Sequence, residues 1–320
     1  MPAAARTLSA PASQLDKRPV RSRHLRVVGE DSGLQAAHRA TPFLKWVGGK
    51  GKLLPDLRKL LPAGPLRYAE PFVGGGALFF DLHSEGHLES ALLCDAGTDL
   101  MGAYRTVKNH LPELLALLQA HEDTYLSASE EGRALYFYHV RNRHPADFAM
   151  SEVERAARML FLNRTCFNGL WRENRTGRFN APHGRYPNPG IVQADKLHAA
   201  SRALQQATLI QSDFRHLPEH VANAMVNFVY LDPPYHPLSQ TSSFNAYSGG
   251  TFSGRAQAEL ADVCRRLDAQ GVKFLLSNSD CTFVRDLYRG FDIGTIRAAR
   301  SVNCKAEGRG AIDEVVIRNY

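Results

Sequence analysis

Four consecutive residues, Asp232, Pro233, Pro234 and Tyr235, put a carboxylate, two stiff peptides and a phenol ring directly after an apolar run, Phe228 to Leu231. The run reads as a buried strand. Proline cannot donate to a sheet ladder and biases the preceding residue away from helix, so the strand stops at Asp232. The carboxyl edge of an open parallel sheet is where ligands bind. An aspartate and a proline carbonyl there can accept hydrogen bonds from a planar amino group, and the tyrosine ring can stack on a heterocycle. A plain turn after an edge strand would use the same four residues, so the other motifs must decide.

The second cluster lies upstream. Leu66 to Glu70 reads as a strand, followed by Pro71-Phe72-Val73-Gly74-Gly75-Gly76 and an apolar helix from Ala77 to Leu82. Glycines let backbone approach a ligand closely, and the helix start offers free N–H groups. The pattern is not a complete G-x-G-x-x-G, because residue 79 is Phe, which favours a nucleoside over a dinucleotide. Ala91 to Cys94 reads as the next strand and ends in Asp95, about 20 residues after the loop, where an acid suits ribose hydroxyls. Gly48-Gly49-Lys50 lacks P-loop spacing and has no strand before it, which excludes that class of NTPase.

The third cluster is Asn163 to Asn174 with Gly177 to Tyr186, two loop-like segments crowded with Arg, Asn, Gly and aromatic residues. Arginine pairs with guanine edges and phosphates, asparagine with adenine, and aromatic rings stack on or wedge between bases. Two such segments within about 25 residues favour nucleic-acid contact over a self-packed basic loop. The net charge of +7 agrees with a polyanionic partner.

These motifs need a scaffold. The 320 residues suffice for one large domain, or one domain with an insertion, and the 44% hydrophobic content is ordinary for a globular chain. Five scattered cysteines, without a CxxC pair or zinc-like His spacing, predict a reduced, cytoplasmic protein with no structural metal. No apolar run approaches the roughly 18–20 residues of a membrane span. Residues 1–40 read as a disordered basic tail. Helical patterns follow at Asp99–Lys108, Leu111–Ala120, Arg133–Val140 and Glu152–Leu162, breaking the strand–helix alternation. It resumes with a helix at Lys196–Gln205, a strand at Ala207–Gln211 with Asp213 and Phe214 at its tip, and then the opening strand. Ser239–Phe252 reads as a mobile loop over the site, Gln257–Gln270 as a helix, Val272–Leu276 as a strand and Phe283–Tyr288 as a short helix. Phe291–Ile296 and Glu314–Ile317 close the chain as strands around a basic loop, Arg297–Arg309.

PFLKWVGGK, EPFVGGG, an Asp after the second strand, NRTCFNGLWREN with GRFNAPHGRY, and LDPPY occur here in one order, from Pro42 onward. The chain thereby resembles the Dam-type family of S-adenosylmethionine-dependent DNA adenine N6-methyltransferases, with the alpha-type motif order. The resemblance implies an α/β fold: a Rossmann-like sheet of seven strands, the last antiparallel, with an inserted, mainly helical target-recognition domain. The catalytic domain would comprise residues 41–99 and 191–320, and the insert residues 100–190. By matching position, Trp46, Lys50, Phe72, Gly74, Gly76, Asp95, Asp213, Phe214 and Asp232 would bind S-adenosylmethionine. Asp232, Pro233, Pro234 and Tyr235 would hold the target adenine. Lys45, Arg164, Phe167, Asn168, Arg172, Pro182, Arg185 and Tyr186 would face double-stranded DNA. Phe167 stands where relatives carry Tyr, a change that keeps a wedge but not a hydroxyl. The matching Arg172 suggests a GATC-like site. A bacterial or phage-encoded enzyme, monomeric and metal-free, is the expectation. The alternatives are an N4-cytosine methyltransferase, which usually carries Ser at the Asp232 position, and a catalytically silent DNA-binding relative.

Overall fold

The apolar runs predicted as strands pair into one sheet. In the computed structural model, which describes residues 39–238, 252–299 and 311–320, the strands are β1 (Leu66–Glu70), β2 (Leu88–Asp95), β3 (Ala207–Gln211), β4 (Phe228–Leu231), β5 (Lys273–Ser279), β6 (Asp292–Ala299) and β7 (Ala311–Arg318). Their order is β3-β2-β1-β4-β5-β7-β6, with β1 to β5 parallel and β7 antiparallel to both neighbours. The seven strands with an antiparallel last one agree with expectation. The tail up to residue 38, residues 239–251 of the polar loop and residues 300–309 of the closing basic loop lie outside the described residues.

Both faces of the central strands are covered, which is why β4 is buried at all four positions and reads as a continuous apolar run. The side-chain period of two sends alternate residues to opposite cores. Tyr68, Leu93, Tyr230 and Leu275 join one cluster, which also contains Leu118 and Phe161 from the long helical stretch. Ala69, Leu92, Val229 and Leu276 join the other, with Leu260 and Val284.

The helices are α1 (Leu54–Lys59), α2 (Ala77–Ser84), α3 (Thr98–Asn109), α4 (Leu111–Ser127), α5 (Glu130–Asn142), α6 (Glu152–Thr165), α7 (Ala194–Leu204), α8 (Leu217–Asn223), α9 (Gly254–Ala269) and α10 (Thr282–Leu287). Two differ in kind from the sequence reading. Helix α8 was not expected; Pro218 sits in its first turn, where the missing N–H costs nothing, so the proline marks a start rather than a break. Helix α6 continues three residues into the segment expected as loop, so Asn163, Arg164 and Thr165 are helical and buried. A capping box between Ser151 and Glu154 fixes its start. Beyond it, an antiparallel bridge between Glu173 and Phe179 makes a small hairpin of residues also expected as loop.

Strand order reverses between β1 and β4, since β1 is followed by β2 on one side and flanked by β4 on the other. At such a switch point the loops diverge and leave a crevice at the carboxyl ends of the strands. Both the glycine loop and Asp232 stand there.

Candidate active site

The glycine loop after β1 is shaped by two residues with positive φ, Gly74 at 46° and Gly76 at 67°. Beyond backbone strain, a side chain at either has no room. A Cβ on Gly74 would lie 2.7 Å from Cδ1 of Trp46, and one on Gly76 would lie 2.7 Å from the Tyr104 hydroxyl. That hydroxyl donates to the Gly74 carbonyl at 3.0 Å, so α3 holds the loop from below. The Gly74 amide points at Asp95, donating to Oδ2 at 3.3 Å, while Gly97 donates to Oδ1 at 3.0 Å. Burial raises the Asp95 carboxyl above the usual carboxylate range, against these amides, which favour its ionised form. Phe72, Phe214 and Phe252 stand beside the loop with ring centroids 5.4–5.9 Å apart. Asp213 is less available: its carboxylate caps the Arg215 amide at 2.9 Å and pairs with the Arg215 guanidinium at 2.8 Å.

At the end of β4 the four residues of the opening motif meet a lysine and an acid from far away in the chain. Lys50, only 7% exposed, places Nζ 2.9 Å from Asp232 Oδ1 and 4.5 Å from the centre of the Tyr235 ring. Glu314 on β7 accepts a hydrogen bond from the Tyr235 hydroxyl at 2.7 Å, and its Oε2 is 4.0 Å from Lys50 Nζ. Burial raises the Asp232 carboxyl, with Lys50 pulling the other way. Burial and the two neighbouring carboxylates push the Tyr235 phenol well up. The turn itself is fastened from behind. Gln257 on α9 donates to the Pro234 carbonyl at 3.0 Å and accepts from Asn278 Nδ2 at 3.0 Å. Asn278 Oδ1 accepts from the His236 amide at 3.1 Å, and the Ser279 hydroxyl donates to the His236 carbonyl at 2.7 Å. Both Gln257 and Asn278 are fully buried.

Most residues expected to face DNA lie together. Lys45 Nζ sits 5.4 Å from the Tyr186 ring centre, and the Tyr186 hydroxyl accepts from the Asn168 amide at 2.8 Å. The Phe167 amide donates to the Pro182 carbonyl at 2.9 Å, and a Cys166–His183 bridge joins the two segments. Phe167 projects from this pair with 53% of its surface exposed, as a wedge requires, and Arg185 is exposed beside it at φ 54°. Arg164 departs from the set. It is buried, donates to the Phe43 carbonyl at 2.6 Å and thus anchors the segment that carries Lys45 and Trp46. Extending α6 turned this side chain inward. Its neighbour Asn163 exchanges two 2.8 Å bonds with the Lys45 backbone, so one helix end fixes the segment that carries Lys45 and Trp46. Arg172 is half-buried, with Nε 2.6 Å and Nη2 3.0 Å from the side-chain and main-chain oxygens of Asn180.

A model of the D12 class of N6 adenine-specific DNA methyltransferases matches residues 46–302. The chain belongs to that class. It is 41% identical to the type II methyltransferase M.MjaIII of Methanocaldococcus jannaschii, over 87% of this chain and 99% of that protein. It is 38% identical to the type II methyltransferase M1.LlaDCHI of Lactococcus lactis subsp. cremoris, over 87% and 95% respectively. It is 35% identical to a DNA adenine methylase of Vibrio cholerae, over 86% and 94%. This D12 enzyme is therefore an adenine-specific DNA methyltransferase, and the N4-cytosine alternative is set aside.

Three polar residues of the D12 site escaped the sequence reading: Glu314, Gln257 and Asn278. The only local signal was an acid at the head of a closing strand, an amide in the first turn of an amphipathic helix and an amide between two serines at the end of an apolar run. Their partners lie 79, 23 and 21 residues away, beyond the reach of any periodicity. Among the described residues no helix is long and apolar enough to cross a membrane, and no cluster of His, Cys, Asp or Glu could hold a metal ion.

Proposed function

We propose that the enzyme transfers a methyl group from S-adenosylmethionine to the N6 amine of an adenine flipped out of a short duplex site. The observation that carries this reading is the placement of Asp232-Pro-Pro-Tyr beside the glycine loop and Asp95 at one switch point. The residues suit such a donor. Gly74 and Gly76 let the loop fold tightly against Trp46 and the Tyr104 hydroxyl, Asp95 would offer a carboxylate to a ribose diol, and Phe72 and Phe214 would offer faces to a purine. Trp46 lies against the loop, whereas Lys50, expected on the donor, pairs with Asp232 on the acceptor side. Arg215 would have to release Asp213 before that carboxylate could serve. When bound, the donor supplies an electrophilic methyl on a sulfonium.

The acceptor amine is a weak nucleophile, because its lone pair is delocalised into the purine. Asp232 and the Pro233 carbonyl would accept its two N–H groups, pulling the nitrogen toward tetrahedral geometry and localising the lone pair. Tyr235 would stack on the base. The carboxylate also stabilises the positive charge that develops on nitrogen. Extrusion of the base costs a few kcal/mol, to be met by DNA contacts elsewhere. Phe167 would wedge into the stack, Lys45, Asn168, Pro182 and Tyr186 would line the DNA, Arg185 would meet phosphate, and Arg172 would read a base edge. Arg164 becomes a positioning residue in this scheme. Residues 100–190 would act as the target-recognition insert of a monomeric enzyme, working on DNA in the cytoplasm of a bacterium or an infected cell. A GATC-like sequence is the proposed target. The test is Asp232→Ala: methyl incorporation into DNA from tritiated donor should vanish while the circular dichroism spectrum is kept. Wild-type incorporation by this variant would refute the reading.

A further inference from the structure

Lys50 occupies the position that the target adenine needs. Its ammonium is 2.9 Å from the Asp232 carboxylate and 4.5 Å from the centre of the Tyr235 ring. The incoming amine must donate to that carboxylate, and the incoming ring must cover that tyrosine. Lys50 therefore has to move when the base enters. A buried ammonium leaves one carboxylate at little cost only if another is within reach. Among the described residues the second carboxylate near Lys50 Nζ is Glu314, 4.0 Å away. Its Oε2 also holds the Tyr235 hydroxyl at 2.7 Å. A side-chain rotation of Lys50 over this short distance would free Asp232 and the ring face while Tyr235 stays fixed.

We infer that Glu314 is a positioning residue that draws Lys50 off Asp232 and so opens the acceptor pocket to the flipped adenine. The inference rests on the proposed acceptor role of Asp232 and Tyr235. Glu314 is well placed for the task because β7 runs antiparallel to β5 and pairs Glu314 with Ser279, next to the tethered turn. In the parallel part of the sheet a strand would bring its carboxyl end here; β7 brings its amino-terminal half.

The discriminating variant is Glu314→Gln in the full chain. Its amide oxygen can still accept from the Tyr235 hydroxyl, but it gives Lys50 no counter-charge. We expect kcat for tritiated methyl transfer to fall roughly 10- to 100-fold while KM for S-adenosylmethionine stays within about threefold. Tyr235→Phe, which removes the hydroxyl bond and keeps the charge, should lose less. In a Lys50→Met background, Glu314→Gln should have no further effect, because the residue it acts through is gone. A merely structural role would lower both backgrounds equally. Wild-type kcat in Glu314→Gln, a larger loss in Tyr235→Phe, or equal losses in both backgrounds would overturn the inference. If wild-type protein itself transfers no methyl group from this donor to DNA, the failure lies in the proposed reaction and not in Glu314.

Discussion

Gln257→Leu separates the fastening of the Asp232–Tyr235 turn from its proposed chemistry. Leucine fills a similar volume but breaks two 3.0 Å bonds, one to the Pro234 carbonyl and one from Asn278. The two orphaned groups are not equal. Pro234 is exposed, so water can satisfy part of its carbonyl, at about 1 kcal/mol. Asn278 is fully buried, and its stranded amide costs about 2 kcal/mol. A total loss of about 3 kcal/mol should appear as a lower urea midpoint at unchanged slope. Activity should suffer more than stability alone explains. Below the denaturation threshold nearly all molecules are folded, yet the turn is loosened where a shift of about 1 Å costs on the order of 100-fold in rate. The assay is kcat for methyl transfer at a temperature where the variant is fully folded. If stability falls by the expected amount and kcat stays within about twofold of wild type, Gln257 does not position the turn.

Gly76→Ala should lose about 2–4 kcal/mol, from the left-handed backbone and from displacing the Tyr104 hydroxyl 2.7 Å away. It should also weaken donor binding in calorimetry, and unaltered affinity would contradict the role of the loop. Arg172→Ala should relax or abolish site choice more than it weakens donor binding, read from digestion by methylation-sensitive restriction enzymes; an unchanged cleavage pattern would contradict it. The pH profile has a definite sign. In the proposed reaction Asp232 acts as an anion and burial raises its pKa, so kcat should be full above that raised value and be lost as pH falls through it. The acid limb should thus lie above 3.8, and a limb at or below it would show that the Asp232 ionisation does not govern the rate.

Much of the scaffold is legible in the sequence because its causes are local. Continuous apolar runs specify strands buried on both faces, prolines end β4, and glycines mark a loop that a side chain would block. Hence the sequence alone assigns Asp232, Gly74, Gly76 and Asp95 to one sheet edge. Helix lengths were less legible: α6 outruns its apolar pattern because Asn163 and Arg164 find main-chain partners across the fold, which periodicity does not register. The same cause turned Arg164 from an expected DNA contact into an anchor.

The sequence by itself determined the chemistry at the tip of β4: a carboxylate, a proline carbonyl and a ring, in an order that only chain connectivity enforces. Tertiary structure decided what surrounds it. Lys50 comes from before β1, Gln257 from α9, Asn278 from β5 and Glu314 from β7. Each arrives through strand register or helix packing, and those are set by the whole apolar core rather than by neighbours in the chain. A polar side chain carries no local mark of the partner it will meet, so the lysine that covers Asp232 and the acid beside it became visible only when the sheet closed around them.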